Sequence, residues 1–299
     1  MEHLTDEEVQ QRAKDVFLNM LVITEEAKIG LPPINPESTY WIELWTNVLD
    51  EFVVRFGPYP AGFDTGFMTA LPIPLPSHPL ASQAAAAVST RAATRGTYLV
   101  KYGKLQHLRP AYEFGRLRIA PASSYADPSL NPAIRDDELE VELQPPPSEM
   151  RLDVIDPATG ESRGRLNPIG NKIRKVSRTN YYVSCFSSLL TPRLFQDFDN
   201  ADACLLITRP REFIEVVFAE FERRLPVFTG LERPVRYIDP LNATLRDLEV
   251  FFCKHFRYAY QAEFRFVWLP PELRGDLEPL FLELGGLSAY AELISLKDA

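Results

Sequence analysis

The sequence predicts an α+β fold, and three observations carry the prediction. Two amphipathic helical stretches open the chain, short β-like runs begin at Thr97, and further helical runs are scattered among those strands without a regular alternation. A doubly wound parallel sheet would alternate strand and helix more evenly, and no internal repeat is present.

Thr5 followed by Asp6, Glu7 and Glu8 marks a helix start, because a hydroxyl can cap free amides while carboxylates suit the positive end of the helix dipole. Val9, Ala13, Phe17 and Leu21 give that helix one apolar stripe, and it is expected to run towards Glu26. A second helix is predicted from near Ser38, with Trp41, Leu44, Trp45, Val48, Leu49, Phe52 and Phe56 on a wide aromatic face. Such a face needs a cover, more often the rest of the same chain than another protein. Residues 71–80 hold four prolines and are predicted to be an extended connector, and the Ala-rich stretch 81–95 to be helical. The chain is therefore divided into a helical region with its connector, 1–97, and a second domain, 98–299.

In the second part, strands are expected at 97–101, 117–120, 181–186, 204–208, 235–238 and 263–269. Pro210 stands at a first helical position, ahead of the stripe Phe213, Ile214, Val217, Phe218 and Phe221; another helix is expected over 244–256. Residues 131–178 read as a charged insertion. Asp136, Asp137, Glu138, Glu140 and Glu142 form an acidic run, and Arg163, Arg165, Lys172, Arg174, Lys175 and Arg178 follow without an intervening acid. Each run is expected to be a solvated face or loop.

With 299 residues and 45% hydrophobic content the chain can fill a sizeable core, and a net charge of -9 opposes non-specific attraction to nucleic acid or anionic membrane. The three cysteines, Cys185, Cys204 and Cys253, have no metal or redox spacing, and neither a signal core nor an apolar span is visible, so a cytoplasmic protein with no membrane partner is expected. Phosphate-loop, dinucleotide, zinc-helix and nucleophile-elbow motifs are absent, and His3, His78, His107 and His255 are scattered.

Four segments together carry a resemblance. They are Tyr98-Leu99-Val100-Lys101-Tyr102 with Gly115-Arg116-Leu117-Arg118-Ile119, then Tyr125-Ala126-Asp127-Pro128, then Val183-Ser184-Cys185-Phe186-Ser187, and finally Lys254 with Tyr258-Ala259-Tyr260-Gln261-Ala262-Glu263-Phe264-Arg265. Their order resembles a bacterial family of little-characterised proteins, some described as abortive-infection factors, over about residues 98 to 269. Tyr258 and Gln261 depart from that family's Trp and Glu, and the resulting Gln-x-Glu is similar to the signature of ADP-ribosyltransferases.

The resemblance implies a split, mostly antiparallel β core with flanking helices, and NAD as substrate with no metal. It implies Glu263 and Gln261 as catalytic residues, with Lys101, Tyr102, Arg118, Tyr125, Ser184 and Ser187 around NAD. Glu263 would stabilise the cationic ribose and Gln261, on the same strand face, would meet the acceptor. Lys101 or Arg118 would neutralise pyrophosphate, Tyr102 or Tyr125 would stack on nicotinamide, and Ser187 would orient Glu263. The implied role is a toxin or antiphage effector modifying nucleic acid or protein, with a neutralising antitoxin as a possible partner.

Other readings stay open. Residues 260–266 alternate as any half-buried strand does, with Glu263 and Arg265 as a surface ion pair. A metal-dependent nuclease would use Asp127, Asp136 or Glu138 with Glu263, and Lys254 beside them. A non-catalytic binding module would use the aromatic helix and the charged loops.

Overall fold

Thr5 begins the first helix as its sequence predicts. Its hydroxyl accepts from the Glu8 amide at 3.2 Å, and Glu8 Oε2 accepts from the Thr5 amide at 2.9 Å, so each satisfies a donor that the helix leaves free. In the computed structural model, which describes residues 1–24, 26–60, 80–91, 97–150, 152–166, 170–199 and 201–297, this helix is α1 (Asp6–Asn19). It stops well short of Glu26, and the β-branched residues after it form a small antiparallel pair, β1 (Val22–Ile23) and β2 (Ile29–Gly30).

Asn35 caps α2 (Pro36–Phe56), with Pro36 in the first turn where its missing N–H is not needed. Trp41, Leu44, Val48 and Phe52 are buried against Val9, Ala13 and Val16 of α1 and against Phe256. The aromatic stripe is thus covered from within the chain, whereas Ile42, Val53 and Val54 stay exposed. The proline-rich stretch 71–79 lies outside the described residues, as do 92–95 of the Ala-rich stretch, whose first part forms α3 (Ala81–Ser89).

The remaining helices are α4 (Leu105–Phe114), α5 (Pro192–Asp197) and α6 (Pro210–Arg224). The strands continue as β3 (Leu99–Gly103), β4 (Arg116–Pro121), β5 (Glu140–Leu143), β6 (Leu152–Ile155), β7 (Ser162–Leu166), β8 (Ile173–Val176), β9 (Tyr182–Ser187) and β10 (Ala203–Ile207). After α6 come β11 (Thr229–Pro234), β12 (Arg236–Ile238), β13 (Cys253–His255), β14 (Glu263–Leu269), β15 (Leu280–Glu283) and β16 (Ala291–Ser295).

Eight strands form one antiparallel sheet in the order β11-β14-β9-β3-β10-β16, with β4 and β15 attached at β9. The sheet forks there. Ser187, at the end of β9, pairs with Val100 of β3, while Tyr182 and Val183, at its start, pair with Pro121 and Ala120 of β4. This is an α+β architecture with a mostly antiparallel core, as the sequence predicts. On one face, α6 lays Phe213, Val217 and Phe221 over Tyr182, Phe186, Phe266 and Trp268, with Phe221 stacked on Trp268 at 4.3 Å between centroids.

No helix forms over 244–256. Two 3₁₀ turns, Leu245–Asp247 and Val250–Phe252, lead into β13, which pairs in parallel with β12. Leu248, Val250 and Cys253 serve one apolar cluster with Val141, Leu143 and Ile238, whereas Phe251 and Phe252 serve another with Tyr181, Val183 and Val267. An extended segment can feed two sides in this way; one helical stripe cannot.

The two charge runs in 131–178 meet. β5 pairs with β8, so Arg174 lies 3.2 Å from Glu140 and 3.0 Å from Glu142, and Lys172 reaches Glu8 at 3.1 Å and Glu142 at 3.6 Å. Half-exposed pairs of this kind contribute little each, about 0–1 kcal/mol. Their consequence is that Lys172 and Arg174 of the basic run meet carboxylates in place.

Asp15 is buried on α1 with a 2.8 Å hydrogen bond from Gln11. Burial raises its carboxyl to about 6, the Gln11 bond and the charges of Arg257 and Arg12 offsetting only part of the effect. Since an unfolded Asp titrates near 4, the folded chain holds an extra proton between about pH 4 and 6, and stability falls as pH rises through that window. Asp15→Asn is expected to raise the unfolding free energy at pH 7 by at most about 3 kcal/mol, read from urea titration, and to leave it unchanged at pH 3.5. Equal effects at both pH values would refute this account.

Candidate active site

The fork in the sheet opens a pocket with a cavity volume of about 140 Å³, lined by Lys101, Tyr102, Tyr125, Glu138, Cys185, Ser187, Lys254, Gln261 and Glu263 among others. Six of the eight residues singled out in the sequence line it. Ser184 is buried beside it, and Arg118 is exposed on β4 and is not among the lining residues.

Lys101 sits where β3 and β9 part. Its ammonium donates to the Cys185 carbonyl at 3.0 Å, approaches Ser184 Oγ at 3.5 Å and lies 4.8 Å from the centre of the Phe186 ring. Burial pushes its pKa down. No carboxylate among the described residues lies within ion-pair distance of it, so its nearest partners are a carbonyl and a ring face, with the Glu263 charge acting from further away.

The late strand spans the residues expected for it, but the segment just before it is not extended. Phe256–Gln261 is a 3₁₀ helix, Ala262 turns the chain at φ 42°, and β14 starts at Glu263. Gln261 is therefore not on a strand face shared with Glu263. Its Nε2 donates to the Ala133 carbonyl at 2.7 Å, and its carbonyl accepts from Ser187 Oγ at 2.7 Å. Ser187 accordingly orients the turn rather than the Glu263 carboxylate. Tyr260 leaves the strand too, with its amide donating to Asn19 Oδ1 at 2.8 Å and its ring 3.7 Å beneath the Arg193 guanidinium.

Glu263 and Arg265 are paired, but in the interior rather than on the surface. Arg265 Nε donates to Glu263 Oε1 at 2.5 Å, and Lys254 Nζ donates to Oε2 at 2.9 Å. Glu138 completes a square, with Oε2 2.5 Å from Arg265 Nη2 and Oε1 3.6 Å from Lys254 Nζ. All four side chains are at most 6% exposed. Burial by itself would raise the Glu263 pKa, yet Arg265 and Lys254 hold it well below the usual carboxylate range by charge and hydrogen bond. Glu138 goes the other way: burial raises it, and the same two cations offset only part of the rise.

The aromatic residues differ in their freedom. The Tyr102 hydroxyl donates to the Leu189 carbonyl at 2.7 Å and accepts from the Thr191 amide at 3.0 Å, so it is committed to the fold. No described group hydrogen-bonds the Tyr125 hydroxyl, and Tyr125 lines the pocket.

The geometry bears on the metal-dependent alternative. Asp127 is an exposed turn residue whose carboxylate accepts from the Ser129 amide at 2.8 Å. Asp136, Glu138 and Glu263 converge on Lys254 at 3.9, 3.6 and 2.9 Å, so a fixed ammonium occupies their common point. Among the described residues, no group of three or more His, Cys, Asp or Glu side chains is placed to hold a metal ion.

Sequence reasoning undervalued Glu138, which it placed in a solvated acidic run, and Cys185, which it quoted in a motif but gave no role. Nothing in the spacing of Asp136, Glu138 and Glu140 marks the middle one as the buried member. Comparison of the chain with protein-family models, with curated proteins and with solved structures found no match. No described helix is long and apolar enough to cross a membrane.

Removing one cation from the square leaves two buried carboxylates facing one ammonium. Arg265→Gln is expected to cost about 3–5 kcal/mol of stability, read as a lowered urea midpoint. Adding Glu263→Gln to that variant should restore part of the loss, as coupled residues do in a double-mutant cycle. Strict additivity would show that the four charges do not act as a unit.

Proposed function

We propose that the pocket binds NAD and that the chain is an NAD-dependent ADP-ribosyltransferase, acting as a toxin or antiphage effector on a protein or nucleic-acid acceptor. The observation that carries this reading is the convergence, at one pocket, of Lys101 from β3, Ser187 from β9 and Glu263 from β14, three neighbouring strands whose motifs lie far apart in sequence.

Rupture of the nicotinamide-ribose bond builds positive charge on the ribose, and a fixed carboxylate beside it favours the transition state over bound NAD. Glu263 meets that need because its two cations keep it ionised. A carboxylate offers roughly four lone-pair sites, so after Lys254 and Arg265 are served it can still accept from a ribose hydroxyl. Lys101, without a carboxylate partner, suits the pyrophosphate, a role that the exposed Arg118 is less well placed to share. The Tyr125 ring suits the flat nicotinamide. Gln261, anchored through Nε2, keeps Oε1 for the acceptor.

The test is incubation of the full chain with NAD labelled in the adenylate half, in the presence of protein, DNA and RNA, following nicotinamide release and the fate of the label. Glu263→Gln is expected to lower turnover by about 10²–10³-fold while the fold is kept. Turnover near the starting level in a folded Glu263→Gln protein, or no nicotinamide release by the unaltered chain, would sink the proposal.

A further inference from the structure

Two carboxylates share the same two cations in this wall, yet they are held differently. Each oxygen of Glu263 accepts an aligned hydrogen bond, from Arg265 Nε at 2.5 Å and Lys254 Nζ at 2.9 Å. The Glu138 carboxyl accepts none from any described group. Lys254 is 3.6 Å away, and Arg265 Nη2, though 2.5 Å from Oε2, is not aligned to donate and has no hydrogen-bond acceptor. Glu138 lines the pocket together with Glu263, Tyr125 and Cys185.

We propose that Glu138 is the base of this site, taking the proton from the incoming nucleophile, and that the acceptor group is accordingly a neutral hydroxyl or amine. This rests on the reading that the pocket turns over NAD. The C1′–N bond breaks and its electron pair neutralises the pyridinium nitrogen, releasing nicotinamide. The lone pair of the acceptor oxygen or nitrogen forms the new bond to C1′, and the acceptor's proton passes to Glu138, which returns it to water at the open mouth. Nothing is oxidised or reduced.

The division of labour follows from the surroundings. Arg265 and Lys254 face both carboxylates, Glu263 and Asp136 add negative charge beside Glu138, and Tyr181 packs nearby with its hydroxyl donating to the Glu138 backbone carbonyl at 2.7 Å. The charges of Arg265 and Lys254, together with their hydrogen bonds, keep Glu263 an anion. Burial without such bonds leaves Glu138 able to take up a proton near neutrality. Two carboxyl groups whose environments drive them apart are what separate electrostatic and proton-transfer roles require.

Water is the simplest neutral acceptor, so nicotinamide release from NAD by the full chain is the probe, measured against pH beside NAD binding by calorimetry. The rate should rise with pH on the acid side as Glu138 loses its proton. Glu138→Gln is expected to lower kcat by about 10²–10⁴-fold, to leave NAD affinity within about threefold, and to abolish that acid limb. Glu138→Asp, which keeps a carboxylate if the Gln variant does not fold, should retain the limb at a reduced rate. A limb that survives in Glu138→Gln, or an Asp variant with unchanged kcat, overturns the assignment while leaving NAD turnover by this pocket intact. An unaltered chain that neither binds NAD nor releases nicotinamide overturns both.

Discussion

Glu263 lies between Lys254 and Arg265 with almost no access to water, and Glu138 closes the arrangement from the other side. Stripping water from such groups costs several kcal/mol per ion, and only close pairing with extra hydrogen bonds offsets it. The arrangement therefore constrains everything around it. Arg265 adds a bond to the Phe251 carbonyl at 3.1 Å, and Glu263 donates its amide to the Tyr237 hydroxyl at 2.7 Å, so backbone from two other segments is drawn into the same network. Well-packed apolar side chains often replace such buried networks without loss of stability, so charge buried at a pocket points more to chemistry than to stability.

The surrounding elements make sense as means of delivering these groups. β13 is a short parallel strand, and it places Lys254 beside the first residue of β14. The 3₁₀ segment before β14 is braced from the N-terminal helices: Asn19 Nδ2 donates to the Phe256 carbonyl at 3.1 Å, and Trp41 stacks on Phe256 at 6.0 Å between centroids. Arg12 grips Asp239 through two guanidinium nitrogens, at 2.8 and 2.6 Å. Residues 1–56 thus hold the wall of the pocket in register, whatever further partners their exposed apolar positions meet. On the opposite wall, Lys101 stands where strand pairing stops, with its ammonium on the Cys185 carbonyl at the mouth of the fork.

Much of the local structure was readable residue by residue. The Thr5 and Pro210 helix starts, the stripes of α1, α2 and α6, and most strands of the main sheet follow from capping chemistry and hydrophobic period, which act over a few residues. The pattern failed at 244–256 and at Tyr260-Gln261, where apolar and polar residues alternate ambiguously and packing against separate clusters decided the backbone. Lys101, Tyr102, Tyr125, Ser187, Gln261 and Glu263 were picked out together because they fall in ordered motifs, and they do share a pocket.

The sequence by itself determined the helix starts at Thr5 and Pro210, the apolar stripes of α1, α2 and α6, several strands of the main sheet, and the short motifs that carry polar residues among them. Only the tertiary structure decided that Glu263 and Arg265 are an interior pair rather than a surface one, that Glu138 leaves its acidic run to join them, and that Lys172 and Arg174 meet Glu140 and Glu142 across β5 and β8. The physical reason is range. Capping and periodicity are settled within a turn or two of chain, whereas the ionisation and partners of a side chain depend on groups that are distant in sequence and meet only when the sheet forks and the loops close over it.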